Sequence, residues 1–189
     1  MTHIPLMVDL RSCISVVIGG GRIAARRVGT LCDAGAKVTI ISPDLVPSLL
    51  EGVQIGKWQW KRKYFEPSDL ENAFIIVAAT DDTATNRVVA QAAPPHALVN
   101  VVDDPSLGNF HVPVSLKRGR FTLSVATGGA SPILARRIRD ELARQYDESF
   151  GEKVEQLYQL RMALKSSEDD PEARLKRLEN MVDSIFDNE

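Results

Sequence analysis

The sequence predicts an α/β fold: a parallel sheet flanked by helices, followed by a small α+β region and a helical C-terminal part. Three observations carry this. Strand and helix patterns alternate through the first two-thirds of the 189 residues. Several strand segments are continuous apolar runs, as expected of parallel strands covered on both faces. The first of them, Ile14–Ile18, breaks on three consecutive glycines, Gly19-Gly20-Gly21, before an amphipathic stretch opens at Arg22.

Taken in order, strands are expected at Ile14–Ile18, Lys37–Ile41, Val53–Trp60, Phe74–Ala79 and Ala97–Val102. Helices are expected at Arg22–Ala34, Leu45–Leu50 and Thr83–Ala93, with Gly35 placed to end the first of them. Alternation of this kind puts the ligand at the carboxyl ends of the strands, where the strand order reverses. After Pro113 the pattern changes. Val114–Lys117 and Arg120–Ala126 flank Arg118-Gly119 as a hairpin. Ser131 suits an N-cap and Pro132 a first helical position, opening a helix to about Tyr146. Beyond it Phe150, Val154, Leu157 and Leu164 share one helical face. A break at Ser166–Pro171 precedes Leu175, Leu178, Val182 and Ile185 at spacings of three and four. These short helices cannot bury their stripes alone, so they pack on one another, on the body or on a second copy. The expected division is 1–113, 114–146 and 147–189.

Apolar residues make up 44% and charged residues 25% of the chain, the balance of a globular protein. No apolar run approaches the ~20 residues of a membrane span, and no basic segment leads into a long apolar one at the N-terminus. A cytoplasmic protein is expected, with no membrane partner. The two cysteines, Cys13 and Cys32, have no Cys-x-x-Cys spacing and no neighbouring histidine, so small buried thiols are expected in place of a disulfide framework or zinc site. His3, His96 and His111 lack metal-ligand spacing, and no metal centre is expected. Residues 1–145 carry 17 basic and 13 acidic side chains, and residues 146–189 carry 6 and 12. That mild cationic bias is too small for nucleic acid but suits an anionic small substrate.

The glycine run carries the chemistry furthest. Gly19 permits a tight turn, Gly21 lets the backbone approach a pyrophosphate, and the free N–H groups of the new helix face the anion. With Ala24 as third small residue the fingerprint reads Gly19-x-Gly21-x-x-Ala24, which belongs to dinucleotide sites. Arg22 and Ile23 complete the turn. The second strand runs out at Ser42-Pro43-Asp44: Ser42 holds the position where an acid binds the ribose hydroxyls, and Asp44 follows two residues later. Arg22 stands near enough in sequence to attract a 2′-phosphate, but NAD is favoured over NADP. The fourth strand ends in Ala78-Ala79-Thr80-Asp81-Asp82, where two alanines leave room for a dinucleotide. Thr80 and Asp81 are candidate cofactor contacts; the competing reading is that Asp81 or Asp82 only caps the next helix.

The fifth strand ends in Asn100-Val101-Val102-Asp103-Asp104-Pro105. A carboxylate there can accept a proton while hydride leaves for the cofactor. A loop-starting Asp before proline is the alternative. Thr127-Gly128-Gly129-Ala130-Ser131-Pro132 places a glycine pair before a helix N-terminus. With Lys117, Arg118, Arg120, Arg136, Arg137 and Arg139 nearby in sequence it suits a polycarboxylate. A tight turn with solvated arginines is the bland alternative, and the three arginines at 136, 137 and 139 cannot all face one way.

Taken together, His3-Ile4-Pro5-Leu6, Gly19–Arg27, Ala78–Asp82, Asn100-Val101-Val102-Asp103 and Thr127–Arg136 resemble the precorrin-2 dehydrogenase/sirohydrochlorin ferrochelatase family, which also forms the N-terminal module of siroheme synthase. The resemblance runs to about Tyr146 and more loosely beyond. It implies a Rossmann-type domain, a dimerisation region and a helical C-terminal domain, assembled as a homodimer. It implies oxidation of precorrin-2 to sirohydrochlorin with NAD as cofactor, and in some relatives insertion of Fe²⁺ or Co²⁺ into the product. Asp103 matches the family's key acid, proposed as general base. Asn100, Thr127, Gly128, Gly129, Ser131 and Arg136 fall where substrate is held. Ala126 departs from the family's pattern, which often has a hydroxyl there. The rival reading is a dinucleotide-sensing regulatory module without catalysis, which needs neither Asp103 nor the Thr127–Ser131 turn.

Overall fold

A computed structural model of the chain describes residues 3–166 and 170–186. It divides into two compact units between Val112 and Pro113. In the first, five parallel strands lie in the order β3-β2-β1-β4-β5. They are β1 (Ile14–Ile18), β2 (Lys37–Ile41), β3 (Gln59–Lys61), β4 (Ile75–Ala78) and β5 (Leu98–Val101). This is the doubly wound, Rossmann-type arrangement expected from the alternating pattern. Because the side chains of a strand alternate between faces, the apolar runs feed two cores. Val17, Val38, Ile40, Ile75 and Val77 pack with α1 (Arg22–Asp33) and α2 (Pro47–Gln54) on one face. Val16, Ile18, Ile41, Ile76 and Val99 pack with Val89 of α3 (Thr83–Ala92) on the other.

Register positions the site. Ile18 pairs with Ile41 on one side and Ala78 on the other, so β1, β2 and β4 end level. The chain turns at Gly19, with φ +117°, and restarts as α1. Gly35, with φ +85°, ends that helix. Its N–H bonds the Cys32 carbonyl, and the N–H of Ala36 bonds that of Leu31, the paired closure that a left-handed glycine permits.

The expected strand over Val53–Trp60 is corrected. Helix α2 starts at Pro47 rather than Leu45 and runs through Val53 to Gln54; only Gln59–Lys61 is extended. The physical cause is Gly52. A Cβ there would overlap the Trp58 ring, so the absence of a side chain lets the indole seat against the helix and donate from Nε1 to the Leu49 carbonyl (3.0 Å). Gly56, with φ +70°, makes the turn between them.

In the second unit β6 (Val114–Arg118) and β7 (Phe121–Val125) form an antiparallel hairpin. Arg118 pairs with Phe121, so the turn is Gly119-Arg120 rather than Arg118-Gly119, with Gly119 at φ +55°. Helices α4 (Pro132–Gln145), α5 (Glu148–Lys165) and α6 (Pro171–Phe186) follow. The centre of this unit is aromatic. Phe121, Tyr146 and Phe150 meet pairwise at centroid distances of 4.8–5.2 Å, and Phe186 reaches Phe150 at 6.4 Å. Its apolar face is incompletely covered within the unit: Ile133 is 72% and Leu134 49% exposed on the first turn of α4.

Cys13 and Cys32 are free and half-buried rather than fully buried. Burial still pushes the Cys32 thiol upward. Among the described residues no helix is long and apolar enough to cross a membrane.

Candidate active site

At the carboxyl ends of β1, β2 and β4 lies an open cleft of ≈ 840 Å³. Its wall brings together the expected cofactor residues Gly19, Gly21, Arg22, Ile23, Ser42, Pro43, Asp44, Thr80 and Asp81. The three glycines do different things. Gly19 supplies the left-handed turn against the backbone of Ala79. Gly20, the variable position of the fingerprint, is pressed against the Asp44 carbonyl and the Ser42 and Leu45 side chains, and its own carbonyl accepts from the Val46 N–H (2.9 Å). A Cβ on Gly21 would meet nothing within 4 Å, so the chain leaves open space at the start of α1. No side chain caps that helix and its first turn holds no acid. Uncapped N–H groups facing an open cradle suit a pyrophosphate, and the residues present fit a dinucleotide.

At the end of β2 the two candidates for the ribose part company. Ser42 is buried and its hydroxyl donates to the Asp44 carbonyl (2.7 Å), closing the loop on itself. The Asp44 side chain is 86% exposed, with Arg62 Nη2 at 3.4 Å. Arg62 also donates from Nε to the Pro43 carbonyl (3.1 Å) and its guanidinium lies over Trp60. The sequence does not announce this cation beside Asp44, because Arg62 comes just after the end of β3, eighteen residues further along the chain. Arg22, the cation singled out in the sequence, is exposed on the cleft wall.

Both Asp-Asp pairs divide into one structural and one unassigned acid. Asp82 caps α3, accepting from the N–H groups of Ala84 (3.0 Å) and Thr85 (3.3 Å) and from the Thr85 hydroxyl (2.6 Å). The Thr85 hydroxyl, and then the Ala84 N–H, hold its carboxyl below the ordinary range. Asp81 is left exposed on the cleft wall. Asp104 likewise accepts from the hydroxyl and N–H of Ser106, starting a 3₁₀ turn at Pro105, and is lowered by those two donors in that order. Asp103 is solvent-exposed, and its Oδ1 accepts from Asn86 Nδ2 at 2.9 Å. Asp103 does not line the cleft itself; Asn86, wholly buried, connects it to Thr80, which does. Asn86 was missed. The one available signal was that it shares the inward face of α3 with Val89.

Asn100 is 5% exposed; its Nδ2 donates to the Phe110 carbonyl (3.2 Å), so its amide holds the loop that follows β5. His111, the histidine nearest that loop's end, meets His3 ring-to-ring at 4.4 Å. In the second unit the Thr127–Ser131 turn is stitched by its own hydroxyls. Thr127 Oγ1 accepts from the Ser131 N–H (3.1 Å), and Ser131 Oγ accepts from the Leu134 N–H (3.1 Å) as the N-cap of α4. Gly128 and Gly129 both take positive φ, +59° and +87°, and a Cβ on either would meet nothing within 4 Å. The basic cluster is partly neutralised. Arg118 pairs with Glu148, Arg120 with Glu155 while lying over Tyr158, and Arg139 with Asp140. Arg136 is exposed on α4.

Residues 6–114 match a family model described as NAD(P)-binding, and residues 118–145 match that of the central region of sirohaem biosynthesis proteins. The chain is 40% identical over 158 residues to the precorrin-2 dehydrogenase of Bacillus subtilis (strain 168), covering 84% of this chain and 98% of that protein. It is 38% identical over 159 residues to the precorrin-2 dehydrogenase of Priestia megaterium, covering 79% of that protein. The siroheme synthase of Methylococcus capsulatus is 38% identical over 92% of this chain, which spans 37% of that longer protein. The solved structure of SirC, a precorrin-2 dehydrogenase, superposes with a TM-score of 0.85 at 33% identity, covering 95% of this chain and 89% of that one. A glycine turn built for a dinucleotide and a near-complete match to dehydrogenases of one substrate agree, and this chain belongs to the precorrin-2 dehydrogenase family.

Proposed function

We propose that the chain oxidises precorrin-2 to sirohydrochlorin with NAD as hydride acceptor, as a step in siroheme synthesis. The observation that carries the reading is the match to the Bacillus subtilis precorrin-2 dehydrogenase over 98% of that protein. The sensing-module alternative is disfavoured by the same match and by the sirohaem-biosynthesis region at 118–145.

The oxidation removes a hydride and a proton from the tetrapyrrole, forming a new double bond. Bound NAD supplies the hydride acceptor. The chain's own residues do the rest. The N–H groups at Gly21 and Arg22 hold the pyrophosphate, Asp44 the ribose hydroxyls, and Thr80 and Asp81 the far wall. Asp103 takes the proton, an exposed carboxylate with one oxygen tied to Asn86. The glycine pair Gly128-Gly129 and Arg136 receive substrate carboxylates, since the hydroxyls of Thr127 and Ser131 are spent on shaping their turn. Asn100 acts indirectly, through the Phe110 loop. The exposed Ile133 and Leu134 support assembly as a homodimer.

The test is anaerobic incubation of precorrin-2 and NAD with substoichiometric enzyme, followed by visible absorbance. Appearance of sirohydrochlorin together with NADH is expected, and no turnover would sink the enzyme reading. Adding Fe²⁺ or Co²⁺ to preformed sirohydrochlorin in the same cuvette reads metal insertion, in which the ion is a substrate.

A further inference from the structure

Asn86 is a polar side chain with no exposure, the fourth residue of α3. A buried amide is costly unless every donor and acceptor is used. Here they are all used. Oδ1 accepts from the Thr80 N–H (3.1 Å) and lies 2.8 Å from the Thr80 hydroxyl. Nδ2 donates to the Thr80 carbonyl (3.1 Å) and to Asp103 Oδ1 (2.9 Å). The orientation of the amide is dictated by its partners. A backbone N–H can only donate, so the oxygen must face Thr80 N, leaving the two N–H groups for the two acceptors.

We infer that Asn86 is a positioning residue: it holds the Asp103 carboxylate in one orientation and ties it to Thr80 on the wall of the dinucleotide cleft. The inference rests on the reading of Asp103 as the base. A carboxylate at an exposed strand end is otherwise free to turn about its side-chain torsions. One hydrogen bond from a saturated, immobile amide fixes one oxygen and leaves the other for the substrate proton. The same amide grips both peptide groups of Thr80, so the cleft wall and the base share one rigid anchor.

Asn86→Ser is expected to lower kcat roughly ten- to a hundredfold, the cost of a misplaced reacting group. The KM for NAD should rise by less than kcat falls, since the base is displaced while the Thr80 wall is only loosened. In the Asp103→Asn background the same change should lower kcat much less than in the parent, because the part of its effect that runs through Asp103 is already lost. Equal losses in both backgrounds, or a loss confined to KM, would overturn the inference. Asp103→Ala covers the case in which Asn86→Ser does not fold. It leaves one N–H of the buried Asn86 amide without its acceptor, so its Tm should fall about 2–4 °C below the parent, whereas Asp103→Asn can present its amide oxygen to the same N–H and should stay within about 2 °C. Equal melting of the two variants would refute the contact. A parent protein that fails to turn over precorrin-2 refutes the dehydrogenase reading instead, and leaves the Tm comparison intact as a test of the contact.

Discussion

A Cβ on Gly19 would overlap the carbonyl oxygen of Ala79, so the ends of β1 and β4 close on each other only because residue 19 is glycine. Residue 19 also sits at φ +117°, a conformation that side chains rarely adopt. Two residues on, Gly21 has φ −85° and open space where a Cβ would stand. The two glycines should therefore separate folding from binding. Gly19→Ala is expected to destabilise the protein by about 2 kcal/mol or more, from backbone strain plus overpacking. Gly21→Ala should leave the denaturation midpoint unchanged yet weaken NAD about tenfold, equivalent to about 1.4 kcal/mol. Urea titrations alongside calorimetric NAD binding check both. Equal behaviour of the two variants would contradict the division.

The cap of α3 predicts a pH dependence. Hydrogen bonds from Thr85 and Ala84 lower the folded-state pKa of Asp82, so its contribution to stability is fully present above the unfolded value of about 3.9. It disappears as the pH falls through the lower, folded value. Asp82→Ala should accordingly melt below the parent at neutral pH, with the gap closing progressively at acid pH. Melting curves between neutral and strongly acid pH decide it; a gap that stays constant would remove ionisation of Asp82 as its source.

How far the residues alone could be read depended on whether their partners were local. β1 and β2 were placed correctly because apolar runs end there on Gly19 and Ser42. The run from Val53 to Trp60 has apolar residues at Val53 and Ile55 and again at Trp58 and Trp60, two short stretches of strand-like alternation, but what decides it is the fit of Trp58 against Gly52, a tertiary contact invisible to periodicity. The residues that line the cleft at the ends of β1, β2 and β4 were legible because strand–turn–helix units set them out in the order of the chain. The Asp81-Asp82 and Asp103-Asp104 pairs were not, since composition cannot say which acid caps. Asn86 owes its importance to Thr80 and Asp103, six and seventeen residues away, and to complete burial. No spacing rule announces such a bridge.

Asp103 is the acid of its pair that no helical turn employs. Asp103→Ala should retain NAD affinity, because the residue lies off the wall of the cleft. It should lower kcat by about 10²- to 10⁴-fold, the usual worth of a positioned base. Stopped-flow measurement of NADH formation, with NAD binding followed separately, checks the two halves. Turnover at the parent rate would take Asp103 out of the mechanism.

The pairing of Arg62 with Asp44 makes cofactor preference testable. The two side chains are 71% and 86% exposed and 3.4 Å apart, so the ion pair itself adds little stability. Their effect falls on what binds between them. A carboxylate at the ribose repels a 2′-phosphate and accepts from a free 2′-hydroxyl, which favours NAD. Arg62 works in the opposite sense, offering a cation to the phosphate. Asp44→Asn should therefore raise kcat/KM for NADP relative to NAD about tenfold, a change of about 1.4 kcal/mol in discrimination. Arg62→Ala should lower NADP use while leaving the KM for NAD within about threefold, since it removes a charge that only the extra phosphate needs. Parallel steady-state kinetics with the two cofactors measure both changes. If Arg22 rather than Arg62 governs the phosphate, Arg62→Ala will leave NADP use untouched and Arg22→Ala will abolish it.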